Sequence, residues 1–300
     1  MSGSAEAVPF DTDFTAPYGK PVQVSGLIVR LLTRNPSPFT FKGTSVTIVG
    51  HDQVAVIDPG PDDPEHLEHL REAVRGKRVS HILVTHTHRD HSPAARALKQ
   101  WTGAPTYGFG PHGSEATVAV EEGADLHFAP DVQSRDGDII EGESYSFQCV
   151  HTPGHTSNHL CYALQEERAL FTGDHVMGWS TTVVAPPDGD MAAYMRSLEK
   201  LLSRDDRVYW PTHGGPIQEP KAFVSALLRH RRARETQIMQ VMRDGAAEIP
   251  QIVQRVYAGI DPRLKRAAAL NVLAHLIKLA QEGRAAAEGE GLSARYRATS

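Results

Sequence analysis

The stretch Thr85-His86-Thr87-His88-Arg89-Asp90-His91 decides the fold of this chain. It places three imidazoles and a carboxylate within six positions, which is the donor set that a borderline-soft divalent ion such as zinc prefers. The candidate ligands are His86, His88, Asp90 and His91. Residues 79–84 form a short apolar run rich in β-branched side chains, which predicts a buried strand. The candidates therefore lie on the loop that leaves this strand, where a turn can aim them at two neighbouring ions.

Three further motifs follow predicted strands later in the chain. They are Thr152-Pro153-Gly154-His155-Thr156, Phe171-Thr172-Gly173-Asp174-His175 and Trp210-Pro211-Thr212-His213-Gly214-Gly215. The preceding strands are predicted at 144–151, at 159–164 with 168–170 as a hairpin, and at 207–209. Glycine or proline beside each polar residue indicates a sharp turn and a close approach. His155, Asp174 and His213 are therefore further candidate ligands.

Together with Asp58 in Val56-Ile57-Asp58-Pro59-Gly60, these residues resemble the metallo-β-lactamase-fold superfamily of hydrolases over residues 20–220. The resemblance implies an α/β fold, an αββα sandwich. It also implies two Zn²⁺ ions per chain. One ion would be held by His86, His88 and His155, and the other by Asp90, His91 and His213. Asp174 would bridge the two ions.

Two divalent ions about 3.5–4 Å apart can share one water, lower its pKa towards neutrality and orient the resulting hydroxide for attack. Asp90 would both bind metal and orient this hydroxide or shuttle its proton, so it is the candidate catalytic residue. Asp58 is expected to steer a ligand imidazole or a loop amide. His159 is a candidate supporting donor or proton relay, with a satisfied core histidine as the alternative. Other histidines, such as His112 and His275, match no ligand pattern and are expected to be structural or on the surface.

Composition is that of a globular protein with a sizeable core. The 300 residues are 40% hydrophobic, which fits one large and one small domain. Cys149 and Cys161 match no ligand position and are expected to be buried thiols in a reducing compartment. Residues 1–10 show no secretory signal, and no apolar run reaches the length of a membrane span. These features predict a cytoplasmic protein without a membrane partner.

Charge divides the chain near Glu219-Pro220, which predicts a catalytic domain at 1–220 and a second domain at 221–300. The net charge of −5 combines about −12 in the first part with about +7 in the second. Helices are predicted at 221–245, 249–258 and 263–282, followed by a ribbon at 284–297. This region resembles the small winged-helix domain of the β-lactamase-like protein 2 group, which includes a mitochondrial endoribonuclease acting on single-stranded RNA. Residues 34–40, with Gly43-Thr44, resemble the same group.

Basic residues of the second domain raise the question of a nucleic-acid partner. They are Arg229, Arg231, Arg232, Arg234, Arg263, Lys265 and Arg266. Such a cluster would fit the backbone of single-stranded RNA. The alternatives are a solvated helix face and a domain that packs or forms a homo-oligomer. Sequence-specific DNA binding is not expected, because the third helix is largely alanine and leucine and offers few side chains suited to reading base edges.

The reaction that fits best is hydrolysis by a dinuclear zinc enzyme, either of single-stranded RNA or of a small ester, thioester or lactone, as in glyoxalase II. A β-lactamase is disfavoured because Asp174 stands where those enzymes have cysteine or histidine. A diiron oxidoreductase is disfavoured because His88 stands where those proteins have a carboxylate. A purely structural metal site and a DNA-binding regulator with a metal-site sensor domain are the alternatives of another class. Trp179 and Thr181, just after Asp174, are the candidate substrate contacts.

Overall fold

Two sheets lie face to face in the computed structural model, which describes residues 7–113, 123–245 and 247–299. The first sheet consists of β1 (Pro21–Gln23), β2 (Ile28–Leu32), β3 (Ser45–Gly50), β4 (Gln53–Ile57), β5 (Arg78–Leu83), β6 (Thr106–Gly108) and β7 (Val132–Gln133), in that spatial order. The second consists of β8 (Ile139–Glu141), β9 (Ser146–His151), β10 (Leu160–Leu164), β11 (Ala169–Gly173) and β12 (Val208–Pro211). Strands β4 to β7 are parallel, as are β11 and β12; the other pairs are antiparallel.

Helices cover the outer face of each sheet. α1 (Pro64–Ala73) and α2 (Ala94–Thr102) pack on the first sheet, while α3 (Met191–Leu202) and α4 (Pro220–Arg243) pack on the second. Between the sheets, side chains such as Leu83 of β5 meet Phe147 of β9 and Tyr162 of β10. β10 and β11 are buried along their whole length, which explains their continuous apolar sequence. The predicted αββα sandwich is confirmed.

Several strands end at one edge of the sandwich, and backbone hydrogen bonds join the loops that leave them. The amide of Leu160 donates to the carbonyl of Thr85 at 2.7 Å, and the amide of Thr212 donates to the carbonyl of Gly173 at 3.2 Å. The amide of Ser45 donates to the carbonyl of Thr212 at 2.9 Å. The bonds from Leu160 and Ser45 cross from one sheet to the other, and the bond from Thr212 joins the ends of β11 and β12, so polar side chains on the loops after β5, β9, β11 and β12 converge.

The C-terminal part has the helices and the ribbon that the sequence predicts. α5 (Ile249–Val256) and α6 (Lys265–Gln281) are followed by a hairpin of β13 (Ala285–Glu288) and β14 (Arg295–Ala298). The long helix α4 belongs to two hydrophobic cores. Phe223 packs in the core under the second sheet, and Ile238 packs against α5 and α6. The division at residue 220 stays a prediction, since this one helix ties the two parts together.

Two features bear on the expected environment. None of the helices in the described part of the chain is both long and apolar enough to cross a membrane. Cys149 on β9 and Cys161 on β10 are buried free thiols. They face different cores, on opposite sides of the second sheet, so they do not form a disulfide with each other.

A buried charge cluster lies where α4 meets α6. One oxygen of Glu235 is 2.7 Å from Nζ of Lys278 and 3.6 Å from Nδ1 of His275, and its other oxygen is 3.4 Å from Arg284. Burial alone would raise the pKa of Glu235, but His275 and Lys278 outweigh it and lower this pKa to about 2. Burial lowers the pKa of His275 to about 4; Glu235 opposes this shift, and the charge of Arg231 adds to it.

Both shifts predict that acid weakens this junction. The unfolded chain takes up a proton on His275 below its ordinary pKa of 6.5, whereas the folded chain does so only near 4. Stability is therefore lost between pH 6.5 and 4, by up to about 3 kcal/mol. Glu235 adds a further loss as the pH falls from 4.5 towards 2. Urea unfolding at pH 7.5, 5.5 and 4.5 measures this loss as a fall in the free energy of unfolding. The difference in free energy of unfolding between wild type and His275→Gln should shrink as the pH falls. If the two free energies instead change in parallel with pH, His275 is not the group responsible.

Candidate metal centre

All seven candidate ligands meet at the common edge of the two sheets. The loop after β5 carries four of them, β9 leads to His155, β11 ends just before Asp174, and β12 leads to His213. Their nitrogen and oxygen atoms form two groups, and within each group these atoms lie within 4.8 Å of one another. The first group is His86, His88, His155 and Asp174; the second is Asp90, His91 and His213. This is the division that the resemblance implies, with Asp174 placed in the first group.

Three imidazole nitrogens of the first group point at one another. Nε2 of His86 lies 3.0 Å from Nδ1 of His88, which lies 3.1 Å from Nε2 of His155. Nδ1 of His155 is 2.7 Å from the carbonyl of Val183, so it donates there and leaves the lone pair of Nε2 towards the group. Nδ1 of His88 can carry at most one proton, so it cannot donate a hydrogen bond to Nε2 of His86 and to Nε2 of His155 at the same time. A cation at the common point would accept all three lone pairs.

In the second group, carboxylate oxygens alternate with imidazole nitrogens. Oδ2 of Asp90 is 3.2 Å from Nε2 of His213 and 3.3 Å from Nε2 of His91. Oδ2 of Asp174 is 3.3 Å from Nε2 of His213 and 3.5 Å from that of His91. The same oxygen is 3.9 Å from Nε2 of His155 in the first group. Asp174 thus contacts both groups, which is the position of a bridging ligand.

Two buried atoms of this centre have no hydrogen-bond partner among the described residues, namely Nε2 of His91 and Oδ1 of Asp174. An unsatisfied buried donor or acceptor costs about 1–3 kcal/mol, and more when it is charged. Such atoms are expected where a ligand supplies the missing contact. The donor set of five imidazoles and two carboxylates also suits zinc. The residues present therefore fit a pair of divalent cations.

The two groups differ in charge when they hold no metal. Burial lowers the pKa values of His86, His88 and His155, so these imidazoles are neutral and ready to bind a cation. Burial would also lower the pKa of His91, but Asp90 and Asp174 outweigh it and raise this pKa well above its ordinary value. The same carboxylates overcome burial at His213 and raise its pKa to about 10. A cation entering the second group must therefore displace protons, which makes its binding weaker in acid.

Asp58 is the anchor of the loops rather than a ligand. Its carboxylate accepts from the amide and the hydroxyl of Thr85, each at 2.8 Å, and from the hydroxyl of Thr212 at 3.1 Å. Nδ1 of His91 donates to it at 2.9 Å, which directs Nε2 of that ring into the second group. Asp58 has φ of +47°, a left-handed conformation uncommon for a non-glycine residue. Strain of this kind is kept where several contacts enforce it.

Supporting contacts also hold Asp174 and His159. Nε2 of His159 accepts from the amide of Asp174 at 3.2 Å, and its Nδ1 donates to the hydroxyl of Thr152 at 2.9 Å. Gly173 has φ of +50°, and a Cβ there would lie 2.5 Å from Nε2 of His159. Only glycine allows this approach. His159 thus orients the backbone of Asp174, and its role as a proton relay stays a prediction.

Sequence reasoning missed three residues that fix the centre. The hydroxyl of Thr44 donates to Oδ2 of Asp90 at 2.9 Å, and Asn35 donates to that hydroxyl at 2.9 Å. The buried guanidinium of Arg30 donates to the carbonyls of Pro211 at 2.6 Å and Gly214 at 3.2 Å, on either side of His213. Asn35 and Thr44 lie in the segments noted above for their resemblance, which was the available signal. Arg30 carries no such signal.

The candidate substrate residues lie at the side of the centre. The indole of Trp179 stacks on the ring of Phe41 with centroids 4.7 Å apart, and it packs near Gly214. Phe41 has φ of +58°, which is an outlier for a bulky residue. Thr181 is half-buried on the same segment as Trp179. An aromatic wall thus borders the turn that carries His213, while substrate contact by Trp179 and Thr181 stays a prediction.

The basic cluster of the second domain is largely engaged in contacts of its own. Arg231 is not on the surface, since it is only 2% exposed, and the expectation that it adds to a phosphate-binding surface is wrong. Arg232 pairs with Glu199 at 2.8 Å. Arg234 donates to the carbonyl of Val256 at 2.7 Å. Arg231 is therefore removed from the basic surface, Arg234 contacts a neighbouring helix, and Arg232 remains exposed beside its carboxylate partner.

Comparison with known proteins agrees with this geometry. Residues 39–213 match the metallo-beta-lactamase superfamily, and residues 249–294 match the beta-lactamase-associated winged helix domain. The chain is 32% identical to the beta-lactamase-like protein 2 homolog of Drosophila melanogaster over 273 residues, which cover 87% of this chain and 90% of that protein. It is 27% identical to the atrochrysone carboxyl ACP thioesterase of Aspergillus chevalieri, over 90% of this chain and 86% of that protein.

A solved structure shares the fold over almost the whole length. The beta-lactamase domain protein from Burkholderia ambifaria superposes with a TM-score of 0.80 at 20% identity, covering 97% of each chain. The two matched segments coincide with the sandwich that holds both ligand groups and with the helices and hairpin that follow α4. The chain therefore belongs to the metallo-β-lactamase superfamily of hydrolases, and within it to the β-lactamase-like protein 2 type with a C-terminal winged helix.

Proposed function

We propose that this protein is a dinuclear zinc hydrolase that cleaves a thioester or a similarly activated acyl compound. The observation that carries the dinuclear centre is the position of Asp174, whose Oδ2 contacts imidazoles of both groups at 3.3–3.9 Å. Two zinc ions held there would supply Lewis acidity and a water of lowered pKa. The chain itself supplies the orientation of the ligands, and Asp58 and Thr44 maintain it.

Asp90 is the candidate proton carrier of the reaction. Its Oδ2 is held by the hydroxyl of Thr44, so the carboxylate keeps one orientation at the centre. The attacking water gives its oxygen to the acyl carbon and a proton to Asp90. The carbon–sulfur bond then breaks, and the proton leaves with the thiol. The products are a carboxylic acid and a thiol. A thiolate is a good leaving group, so this scheme needs no second acid.

Three observations favour an acyl substrate. One relative, which aligns over 90% of this chain, is named as a thioesterase of an acyl carrier protein. The basic side chains that would bind a nucleic acid are also depleted, because Arg231 is buried and Arg232 and Arg234 bind other helices. The aromatic wall of Phe41 and Trp179 suits an apolar acyl group.

Hydrolysis of single-stranded RNA is the second candidate, and one observation supports it. In the described part of the chain, Arg255, Lys265 and Arg266 are exposed and lack an ion-pair partner. They lie on α5 and at the start of α6. Lys265 and Arg266 line one cavity, and exposed cations of this kind would supply backbone contacts to a single strand. A weak, salt-dependent RNA interaction is what this set supports.

A side-by-side assay separates the candidates. We expect the purified, zinc-loaded protein to hydrolyse an acyl N-acetylcysteamine thioester with kcat/KM at least about tenfold above that of the corresponding oxygen ester, because the thiolate leaves more readily. Cleavage of a fluorescent single-stranded RNA should be slow. A chelator should abolish thioester hydrolysis, and added zinc should restore it.

The variant Arg255→Gln, Lys265→Gln, Arg266→Gln is the matched control, since all three positions are exposed and far in sequence from the ligands. It should leave thioester hydrolysis at the wild-type rate. RNA cleavage that exceeds thioester hydrolysis and falls in this triple variant would overturn the acyl assignment in favour of RNA.

We also propose that the protein works in a reducing compartment such as the cytoplasm. The support is the pair of buried free thiols, Cys149 and Cys161.

A further inference from the structure

The segment 182–184 lies against the metal centre on one side. Its Val183 carbonyl accepts from Nδ1 of His155 at 2.7 Å, a contact that sets the direction of the imidazole. The hydroxyl of Thr182 donates to the backbone carbonyl of Asp174 at 2.7 Å. A shift of this segment would therefore move one ligand of the first group and the residue that contacts both groups.

The other side of the same segment is held by the C-terminal helices. The guanidinium of Arg231, on α4, donates to the carbonyl of Thr182. The amide oxygen of Asn271, on α6, accepts from the backbone amide of Val184 at 3.1 Å and from Nη1 of Arg231 at 3.4 Å. Asn271 is 8% exposed, so water does not compete for these bonds.

Burying Arg231 is costly in free energy. Within the described residues no carboxylate pairs with it, its Nε has no partner, and its charge lies 5.0 Å above the ring of Tyr194. Taking a guanidinium out of water costs several kcal/mol, and an apolar side chain of similar volume is often as good or better for stability. Stability alone therefore does not account for an arginine here. Its flat fork of donors does fix a backbone carbonyl in one direction.

We propose that Arg231 and Asn271 are positioning residues of the metal centre, acting through the segment 182–184 on His155 and Asp174. The proposal rests on the proposed metal site. It makes the C-terminal domain a structural part of that site, whatever the substrate. The group that contains His155 should depend on the pair more than the group of Asp90, His91 and His213 does.

The test compares Arg231→Met with wild type in the full chain. Methionine keeps much of the length and apolar character of the stem and removes the fork. We expect the variant to fold with a urea midpoint equal to or above that of wild type. Its visible spectrum with two equivalents of Co²⁺ should change, and the zinc affinity of the His86, His88 and His155 group should fall about 10–100-fold. Arg231→Lys should not restore the spectrum, because an ammonium lacks the planar fork.

Arg232→Met is the matched control, one position further on the same helix, with a side chain that is 61% exposed. It should keep the wild-type Co²⁺ spectrum and zinc affinity. Asn271→Leu is the second variant; it removes the acceptor of the Val184 amide and should give the same spectral change as Arg231→Met. If Arg231→Met fails to fold, the Co²⁺ spectrum and zinc affinity of Asn271→Leu decide whether the pair positions the metal centre.

The outcomes separate this proposal from the proposed function. Wild-type protein that binds no cobalt or zinc would refute the metal centre itself. Wild-type protein that binds two metal ions, together with wild-type spectra in Arg231→Met and Asn271→Leu, would refute only the positioning role. Variants that lose stability but keep the wild-type metal affinity would also refute the positioning role, because a purely structural contact gives that result.

Discussion

Replacing Asp174 by asparagine is expected to lower kcat/KM by about 10³-fold or more and to reduce bound zinc from two equivalents to one or fewer. The oxygen Oδ2 of Asp174 contacts Nε2 of His91, His155 and His213, so it is the one carboxylate shared by both groups. Asparagine has the same size but no charge. The loss of one metal removes a Lewis acid worth several kcal/mol, and each 1.4 kcal/mol is a factor of ten in rate.

Metal content by atomic emission and hydrolysis of the thioester measure the two effects together. Asp205→Asn is the matched control, because that carboxylate is 83% exposed and pairs with Arg168. It should keep two metal equivalents and wild-type activity. Two equivalents of zinc in Asp174→Asn would show that the residue does not bridge, even if activity fell. A folded protein, checked by circular dichroism, is required for either reading and is expected, since Asp174 lies on a loop.

The position of the candidate ligands at strand ends could be predicted from the sequence, because each one lies in a short motif with its own local signal. A strand precedes each one and glycine or proline lies beside it, so His155, Asp174 and His213 can be placed at strand ends without a structure. The fold follows from the same alternation of strands and helices, and the helix limits differ by only a few residues. For example, the first C-terminal helix, predicted at 221–245, is observed at Pro220–Arg243.

The supporting network could not be predicted in this way. Arg30 and Gly214 are 184 positions apart, and Thr44 and Asp90 are 46 apart. No local sequence pattern predicts such pairs, because it is the packing of the two sheets that brings them together. Arg231 shows the consequence most clearly. Charge counting places it with the surface arginines, whereas the structure buries it beside Tyr194. A charged residue in a basic helix is assumed to be solvated unless tertiary structure supplies partners.

Three of the five candidate imidazoles share one arrangement, in that each is held through its second ring nitrogen. His91 donates to Asp58, His155 to the carbonyl of Val183, and His213 is 3.2 Å from the carbonyl of Gly43. Such contacts select the tautomer and direct the free lone pair towards the metal. Of the three, only Asp58 is a charged partner. It is therefore the supporting residue whose removal should matter most.

Asp58→Asn is expected to lower the zinc affinity of the second group about 10–100-fold and kcat/KM by a similar factor. All four groups that contact the carboxylate are donors, from Thr85, Thr212 and His91. Asparagine turns one acceptor oxygen into a donor, so at least one buried contact becomes donor against donor. This costs about 1–3 kcal/mol of stability in addition to the loss at the metal.

The ratio of the two metal affinities tests the assignment of Asp58 more sharply than activity does. His91 belongs to the second group, whereas His86, His88 and His155 do not contact Asp58. Titration with zinc, followed by competition with a chromogenic chelator, should show one weakened site and one near wild type. Asp58→Glu is the companion variant: it keeps the charge but cannot keep all four distances at a residue whose φ is +47°. We expect it to recover part of the affinity, because charge matters at His91. Equal weakening of both sites in Asp58→Asn would instead mean that Asp58 acts by holding the whole loop, through Thr85, and not by directing His91.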